Sequence, residues 1–147
     1  MMEQQEKGID LSLLNEELRR AVEAHTKPMV CFEGLKVTEL REGYVEAEAP
    51  VTENSLNPYG NAHGGWLFAL CDTCSGLAAS TRGRPNVTLQ ASVNYIRGVK
   101  PGDTVTVKAF SRHSGGRTAV NQVELYDQNE RLLLTGSFTM YYMDAKK

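Results

Sequence analysis

Residues 65 to 81, GWLFALCDTCSGLAAST, are apolar or small all round except for one carboxylate, Asp72. Length and pattern read as a helix, and a helix greasy on every face has to be buried on nearly every side. Asp72 is also the only formal charge among the 28 residues from Asn54 to Thr81, with His63 neutral. A carboxylate in a buried helix is costly unless it is paired, hydrogen-bonded or wetted, and aspartate adds nothing to helix propensity. Either Asp72 accepts hydrogen bonds from neighbours such as Thr73 or Ser75, or from an arginine on another strand, or it has a chemical task. The task is the stronger reading.

The remainder of the chain supplies the cover. Leu11, Leu14, Leu18 and Val22 recur at helical spacing between Asp10, a plausible N-cap, and Pro28, which predicts an amphipathic helix over 10–25. Two alternating runs from Leu35 to Val51 flank Glu42-Gly43 and predict a hairpin. After Pro85 the period becomes two: Val87, Leu89, Ala91, Val93 and Tyr95 alternate with Thr88, Gln90, Ser92 and Asn94. Val105, Val107 and Ala109, then Val123 and Leu125, then Leu132, Leu134, Phe138 and Met140 continue it. Turns fall at Pro101-Gly102-Asp103, Ser114-Gly115-Gly116 and Asp127-Gln128-Asn129.

Short connections favour antiparallel pairing. A chain of the α+β class buries an all-round apolar helix by curling one sheet about it, so the expected fold is a curved antiparallel sheet of about six strands around residues 65–81. One domain spans 1–147, with a helical extension over 1–26, a core over 27–143 and a tail over 144–147. Free sheet edges are an association hazard that edge-to-edge pairing removes, so a homodimer is expected, with a homotetramer left open.

Composition narrows the function classes. With 41% hydrophobic residues and 16 basic against 18 acidic side chains, the chain is a packed globule and not a disordered segment. Its longest apolar run, Trp66 to Cys71, is far short of the ~20 residues that span a bilayer, so no membrane partner is expected. The polar N-terminus and the odd count of three cysteines fit a cytoplasmic protein.

Up to Glu53 there are twelve acids and six bases, whereas Arg82 to Arg117 carries seven bases and one acid, Asp103. In a chain of net charge −2 this points to a small anion such as a nucleotide phosphate, and not to nucleic acid. Scattered, solvated charges explain the same pattern equally well.

The central helix opens on His63-Gly64-Gly65. The first amides of a helix have no internal partner and lie at the positive end of its dipole, and glycine leaves them uncovered. Such donors stabilise a carbonyl oxygen that gains charge as its carbon is attacked, and loss of one costs on the order of 10²–10³ in rate. Close packing of the helix start on a strand, or turn chemistry at Asn57 and Asn61, accounts for the same residues without any function. Spacing adds that Asp72 lies roughly 13 Å beyond His63 and half a turn round. If both ends act on one substrate, the donors of one subunit meet the carboxylate of another.

The run Asn57-Pro58-Tyr59-Gly60-Asn61-Ala62-His63-Gly64-Gly65, with Asp72 seven residues after the second glycine, resembles the hotdog-fold acyl-CoA thioesterases of the phenylacetate-degradation type. The order of predicted elements from Lys27 to Met143 is similar too. The resemblance implies hydrolysis of an acyl-CoA thioester to a free acid and coenzyme A. It implies that the Gly64 N–H polarises the carbonyl, with Asn57 and His63 shaping that end of the site and Gly65 among the substrate-binding residues. It assigns Asp72 of the partner subunit as general base or nucleophile, two roles it does not separate. A hydroxyl on the next strand falls on Thr88 when the chain is aligned on Asn94-Tyr95. Arg97, Lys100, Arg112 and Arg117, which flank predicted turns, are the candidates for the coenzyme A phosphates.

No metal or bound cofactor is expected. Cys71-x-x-Cys74 lacks a second ligand pair and reads as two packed thiols, and Cys31 is isolated. His25 and His113 read as solvated imidazoles. Two rivals remain: a hotdog hydratase or dehydratase using His63 and a partner's Asp72, and a non-catalytic acyl-CoA-binding protein.

Overall fold

Glu42-Gly43 reverses the chain between β1 (Lys36–Arg41) and β2 (Tyr44–Pro50), and Gly43 takes φ 72°, a left-handed conformation that side chains resist. A Cβ there would also lie 2.9 Å from the Arg82 guanidinium. The computed structural model describes residues 15–145. Its first element, α1 (Glu16–His25), is capped by Asn15, whose side chain accepts from Leu18 N–H. The expected cap Asp10, with Leu11 and Leu14, lies outside the described residues. No residue of α1 is buried, so this helix stands apart from the core.

The remaining elements are α2 (Gly64–Ser80), β3 (Asn86–Tyr95), β4 (Thr104–Ser114), β5 (Thr118–Tyr126) and β6 (Leu132–Tyr142). All five strand pairings are antiparallel, in the order β1-β2-β4-β5-β6-β3. Lys100-Pro101-Gly102-Asp103 leads into β4, with Asp103 N–H donating to the Lys100 carbonyl and Gly102 at φ 94°, as a Pro-Gly turn requires. This is the six-stranded hotdog sheet that the sequence implies. Among the described residues no helix is long and apolar enough to cross a membrane.

Helix α2 lies across the inner face of the sheet. Val45, Ala47 and Ala49 of β2, Val105, Val107 and Ala109 of β4, and Ala119, Val123 and Leu125 of β5 alternate inward and are fully buried. Four of those nine are alanine, which lets the helix approach closely. Trp66, Leu67, Leu70, Cys71, Cys74, Ser75, Ala78 and Ala79 face them. Trp66 Nε1–H donates to the Cys31 carbonyl at 2.7 Å and pins the segment before β1 over the helix start. Asn121, buried on β5, donates from Nδ2 to the Ser75 carbonyl at 2.8 Å and fixes the helix against the sheet at mid-length.

The burial is one-sided within a single chain. Gly65, Leu77 and Ser80 are exposed, and Phe68, Ala69, Asp72, Thr73 and Gly76 are only half-buried. These positions form a stripe that the sheet covers only in part, mainly from β3 and β6. Asp72 is therefore not the fully buried carboxylate that the sequence predicts, because the sheet of one chain covers one face of α2 fully and this stripe only in part.

Asn121→Ala removes the β5 side chain that bonds the sheet to the Ser75 carbonyl and leaves a cavity. The expected loss is about 1–3 kcal/mol of stability, measured as a lower urea midpoint with an unchanged slope.

Candidate active site

The start of α2 distributes its amides unevenly. His63, in extended conformation, is the N-cap: its Nδ1 accepts from Gly65 N–H at 2.8 Å, and its carbonyl accepts from Trp66 N–H and Leu67 N–H. An Nδ1 that accepts places the proton of the neutral ring on Nε2. The N–H of Gly64 has no partner among the described residues. Of the two glycines singled out in the sequence, Gly65 is occupied and Gly64 retains a free donor.

The loop ahead of the helix is closed by Asn57. Its Oδ1 accepts from Tyr59 N–H and Asn61 N–H, its N–H donates to the Asn61 carbonyl, and its carbonyl accepts from Gly60 N–H at φ 83°. The oxygen of the Asn57 amide is thus committed to the turn, while its NH₂ bonds to nothing among the described residues. Ala62 N–H donates to the Val99 carbonyl and docks the loop on the connection that follows β3. Between them lies an open cleft of about 320 Å³ lined by Asn57, Asn61, Gly64, Leu67, Tyr95 and Arg97. The Tyr95 hydroxyl donates to the Gly64 carbonyl at 2.7 Å.

Asp72 emerges farther along, on the open stripe. It makes no ion pair among the described residues. Its partner is Thr88, whose Oγ1–H donates to Asp72 Oδ1 at 2.5 Å. Neither Thr73, Ser75 nor an arginine takes that place, and the buried Ser75 hydroxyl has no hydrogen-bond partner among the described residues.

A β-bulge aims Thr88. A regular strand would set Val87, Leu89, Ala91, Val93 and Tyr95 on one face, and Thr88 on the other. The register with β6 instead shifts between Thr88, opposite Met140, and Gln90, opposite Thr139, which leaves Leu89 as the extra residue. Past the bulge Ala91 and Val93 pack on the core, while Val87 and Leu89 are 48% and 63% exposed. The alternation thus changes phase at Leu89, and Asn86 and Thr88 turn inward to α2.

The basic stretch does not gather in space. Arg97 lines the cleft beside Gly64, and Lys100 sits on the connection after it. Arg112 donates to Gln122 Oε1 at 2.9 Å and stacks on Phe110. Arg117 lies in the β4–β5 turn, whose Gly115 and Gly116 carbonyls are held by Arg84; Arg84 in turn pairs with Asp144. Arg84 also adjoins the far end of α2, about 25 Å from Gly64 at 1.5 Å per residue. One chain therefore does not bring Arg97, Lys100, Arg112 and Arg117 together. Nor does it bring Gly64 to Asp72, about 12 Å apart along one helix.

Tyr95 is the site residue missed in the sequence. Its signal was its place as the last inward member of β3.

A family profile described as the thioesterase superfamily matches residues 59–134. The acyl-coenzyme A thioesterase PaaI of Escherichia coli is 32% identical over 98 residues, 67% of this chain and 70% of that protein. A hypothetical thioesterase of Streptococcus pneumoniae, solved with coenzyme A, superposes with a TM-score of 0.79 at 38% identity, covering 82% of this chain and 98% of that one. Two further structures of that protein carry single alanine replacements, one of an aspartate and one of a threonine sixteen positions later. The same sixteen positions separate Asp72 and Thr88. A Streptococcus mutans protein bound to acetyl-CoA superposes at 0.75 with 36% identity, over 84% of this chain and 99% of that one.

Cys71 and Cys74 are both buried on the sheet-facing side of α2. Burial pushes the Cys71 thiol far up, helped by Cys74 and Asp72, and pushes Cys74 up to about 11. Thiolate is the reactive form, so both are inert at neutral pH. Among the described residues no cluster of His, Cys, Asp and Glu is placed to hold a metal ion. Iodoacetamide at pH 8 is expected to add once to the folded protein, at half-buried Cys31, and three times after denaturation, read by intact mass.

Proposed function

The chain belongs to the thioesterase superfamily, and from that premise we propose that it hydrolyses acyl-CoA thioesters to a free acid and coenzyme A. The observation that carries the reading is the carboxylate of Asp72: it has no cation beside it, one threonine hydroxyl holds it, and it lies on the open face of a helix whose first amide, Gly64 N–H, is unpartnered. A structural carboxylate would be paired, and a binding pocket has no use for an unneutralised one.

In the proposed reaction the thioester carbonyl oxygen lies on Gly64 N–H, with the Asn57 NH₂ and the His63 ring beside it. Asp72 of the partner subunit approaches from the other side, held by Thr88. As base, it takes a proton from water while the water oxygen bonds to the carbonyl carbon. The oxyanion rests on Gly64 N–H until the C–S bond breaks, and the proton passes to the departing sulfur. As nucleophile, Asp72 displaces the thiolate to form a mixed anhydride that water then opens. Coenzyme A phosphates meet a subset of the basic side chains, Arg97 and Lys100 from one end and Arg112 or Arg117 from the other.

Two copies are needed, since Gly64 and Asp72 of one chain lie too far apart. The surface for pairing is the free edge of β3, with Val87, Leu89, Tyr95 and Ile96 exposed, together with the open stripe of α2. A long apolar edge of this kind is stabilised by a second copy, and burying it also completes the cover of α2. A hydratase reading is weaker: it needs His63 as a second acid–base group, and Nδ1 of that ring already accepts from Gly65 N–H.

Thiol release from short, medium, aromatic and hydroxy acyl-CoA esters tests the reading. Asp72→Asn is expected to lower kcat by about 10³ or more and Thr88→Ala by about 10-fold, with the oligomer intact by sedimentation. Release by Asp72→Asn at the wild-type rate would overturn the assignment. Single-turnover hydrolysis in H₂¹⁸O tests the nucleophilic role: label found in Asp72 after the first turnover marks an anhydride opened at the Asp72 carbonyl, and trapping of an acylated Asp72 by hydroxylamine marks one opened at the acyl carbon.

A further inference from the structure

The peptide that joins Gly64 to Gly65 is gripped at both ends. Its carbonyl accepts from the Tyr95 hydroxyl at 2.7 Å, and its N–H donates to His63 Nδ1 at 2.8 Å. The ring of Tyr95 also lies against Gly64, so that a Cβ at that position would stand 3.4 Å from the ring carbon and from the hydroxyl. Tyr95 comes from β3, the last strand of the sheet, and His63 from the loop before the helix, so two separate parts of the fold converge on one peptide unit.

This grip is not needed to start the helix. His63 already caps it through Nδ1 and its own carbonyl, and a first-turn carbonyl of a helix has an acceptor role inside the helix without outside help. Nor is Tyr95 a core residue, for it is 52% exposed and lines the cleft. Within one chain, a half-exposed tyrosine committed to one backbone carbonyl loses side-chain freedom without large apolar burial in return.

We propose that Tyr95 is a positioning residue: with His63 it clamps the Gly64–Gly65 peptide and thereby fixes the direction of the unpartnered Gly64 N–H in the cleft. The proposal rests on the reading of Gly64 as the carbonyl donor. Such a donor acts only when it is held where the oxyanion forms, since its advantage is that no reorganisation is needed during the reaction. Without the Tyr95 hydroxyl the only side chain left bonded to the Gly64–Gly65 peptide is His63, although Trp66 still anchors the turn as a whole. Burial raises the pKa of Tyr95 above the ordinary phenol value of 10, so the hydroxyl remains a donor at any working pH.

Tyr95→Phe keeps the ring and removes the hydroxyl. On the ester of the panel that wild type turns over fastest, it is expected to lower kcat about tenfold with KM changed less than twofold, and to leave the thermal midpoint and the oligomer unchanged. Tyr95→Leu, which removes the ring as well, is expected to lower kcat at least as far. Wild-type kcat in Tyr95→Phe overturns the proposal, because ring packing alone would then suffice. A fall in kcat matched by a lower thermal midpoint also overturns it, as that is the mark of a structural tyrosine. Asp72→Asn assayed beside it keeps the two questions apart: its loss of activity with an unaffected Tyr95→Phe removes only the clamp, whereas an active Asp72→Asn removes the hydrolase reading itself.

Discussion

The packing of one face of α2 onto the concave side of the sheet determines where every other feature of the site lies. Eight buried helix residues meet an inner surface rich in alanine, so the helix sits close and its rotation is fixed. Trp66 holds the start through the Cys31 carbonyl, and Asn121 holds the middle through the Ser75 carbonyl. Once rotation and height are set, Asp72 has to emerge on the partly covered stripe beside Thr88 of β3, and Gly64 has to stand at the exposed end. Neither group could shift without sliding the whole hydrophobic face.

Strand β3 connects that packing to the chemistry. It touches the helix with three polar side chains spread along its length: Asn86 at Gly76 and Ser80, Thr88 at Asp72, and Tyr95 at Gly64. The bulge at Leu89 lets the first two face inward as well as the third, since an uninterrupted strand could not place residues 86, 88 and 95 on one side. The same strand is an edge, and its outward row of Val87 and Leu89 is exposed. A single element thus holds the carboxylate and covers the helix start.

Charge is arranged differently from packing. The seven bases between Arg82 and Arg117 are adjacent in sequence, yet Arg84 is bound to Asp144 and the β4–β5 turn, Arg112 to Gln122 and Phe110, and Arg97 to neither group. Strands of an antiparallel sheet run back and forth, so residues ten or twenty positions apart alternate between its two ends and its two faces.

Much of this was determined by the sequence alone. The apolar helix, its solitary Asp72, the His63-Gly64-Gly65 start, the Glu42-Gly43 hairpin and the alternating strands are local patterns, and local patterns follow from side-chain chemistry and period. The tertiary structure alone decided that Asp72 is half-buried and held by Thr88, that Gly65 is occupied while Gly64 is free, and that Tyr95 belongs to the site. The cause in each case is a contact between residues distant in the chain. A bulge exists only in the register of β3 against β6, and the open side of a helix is defined only by which side the sheet has already covered.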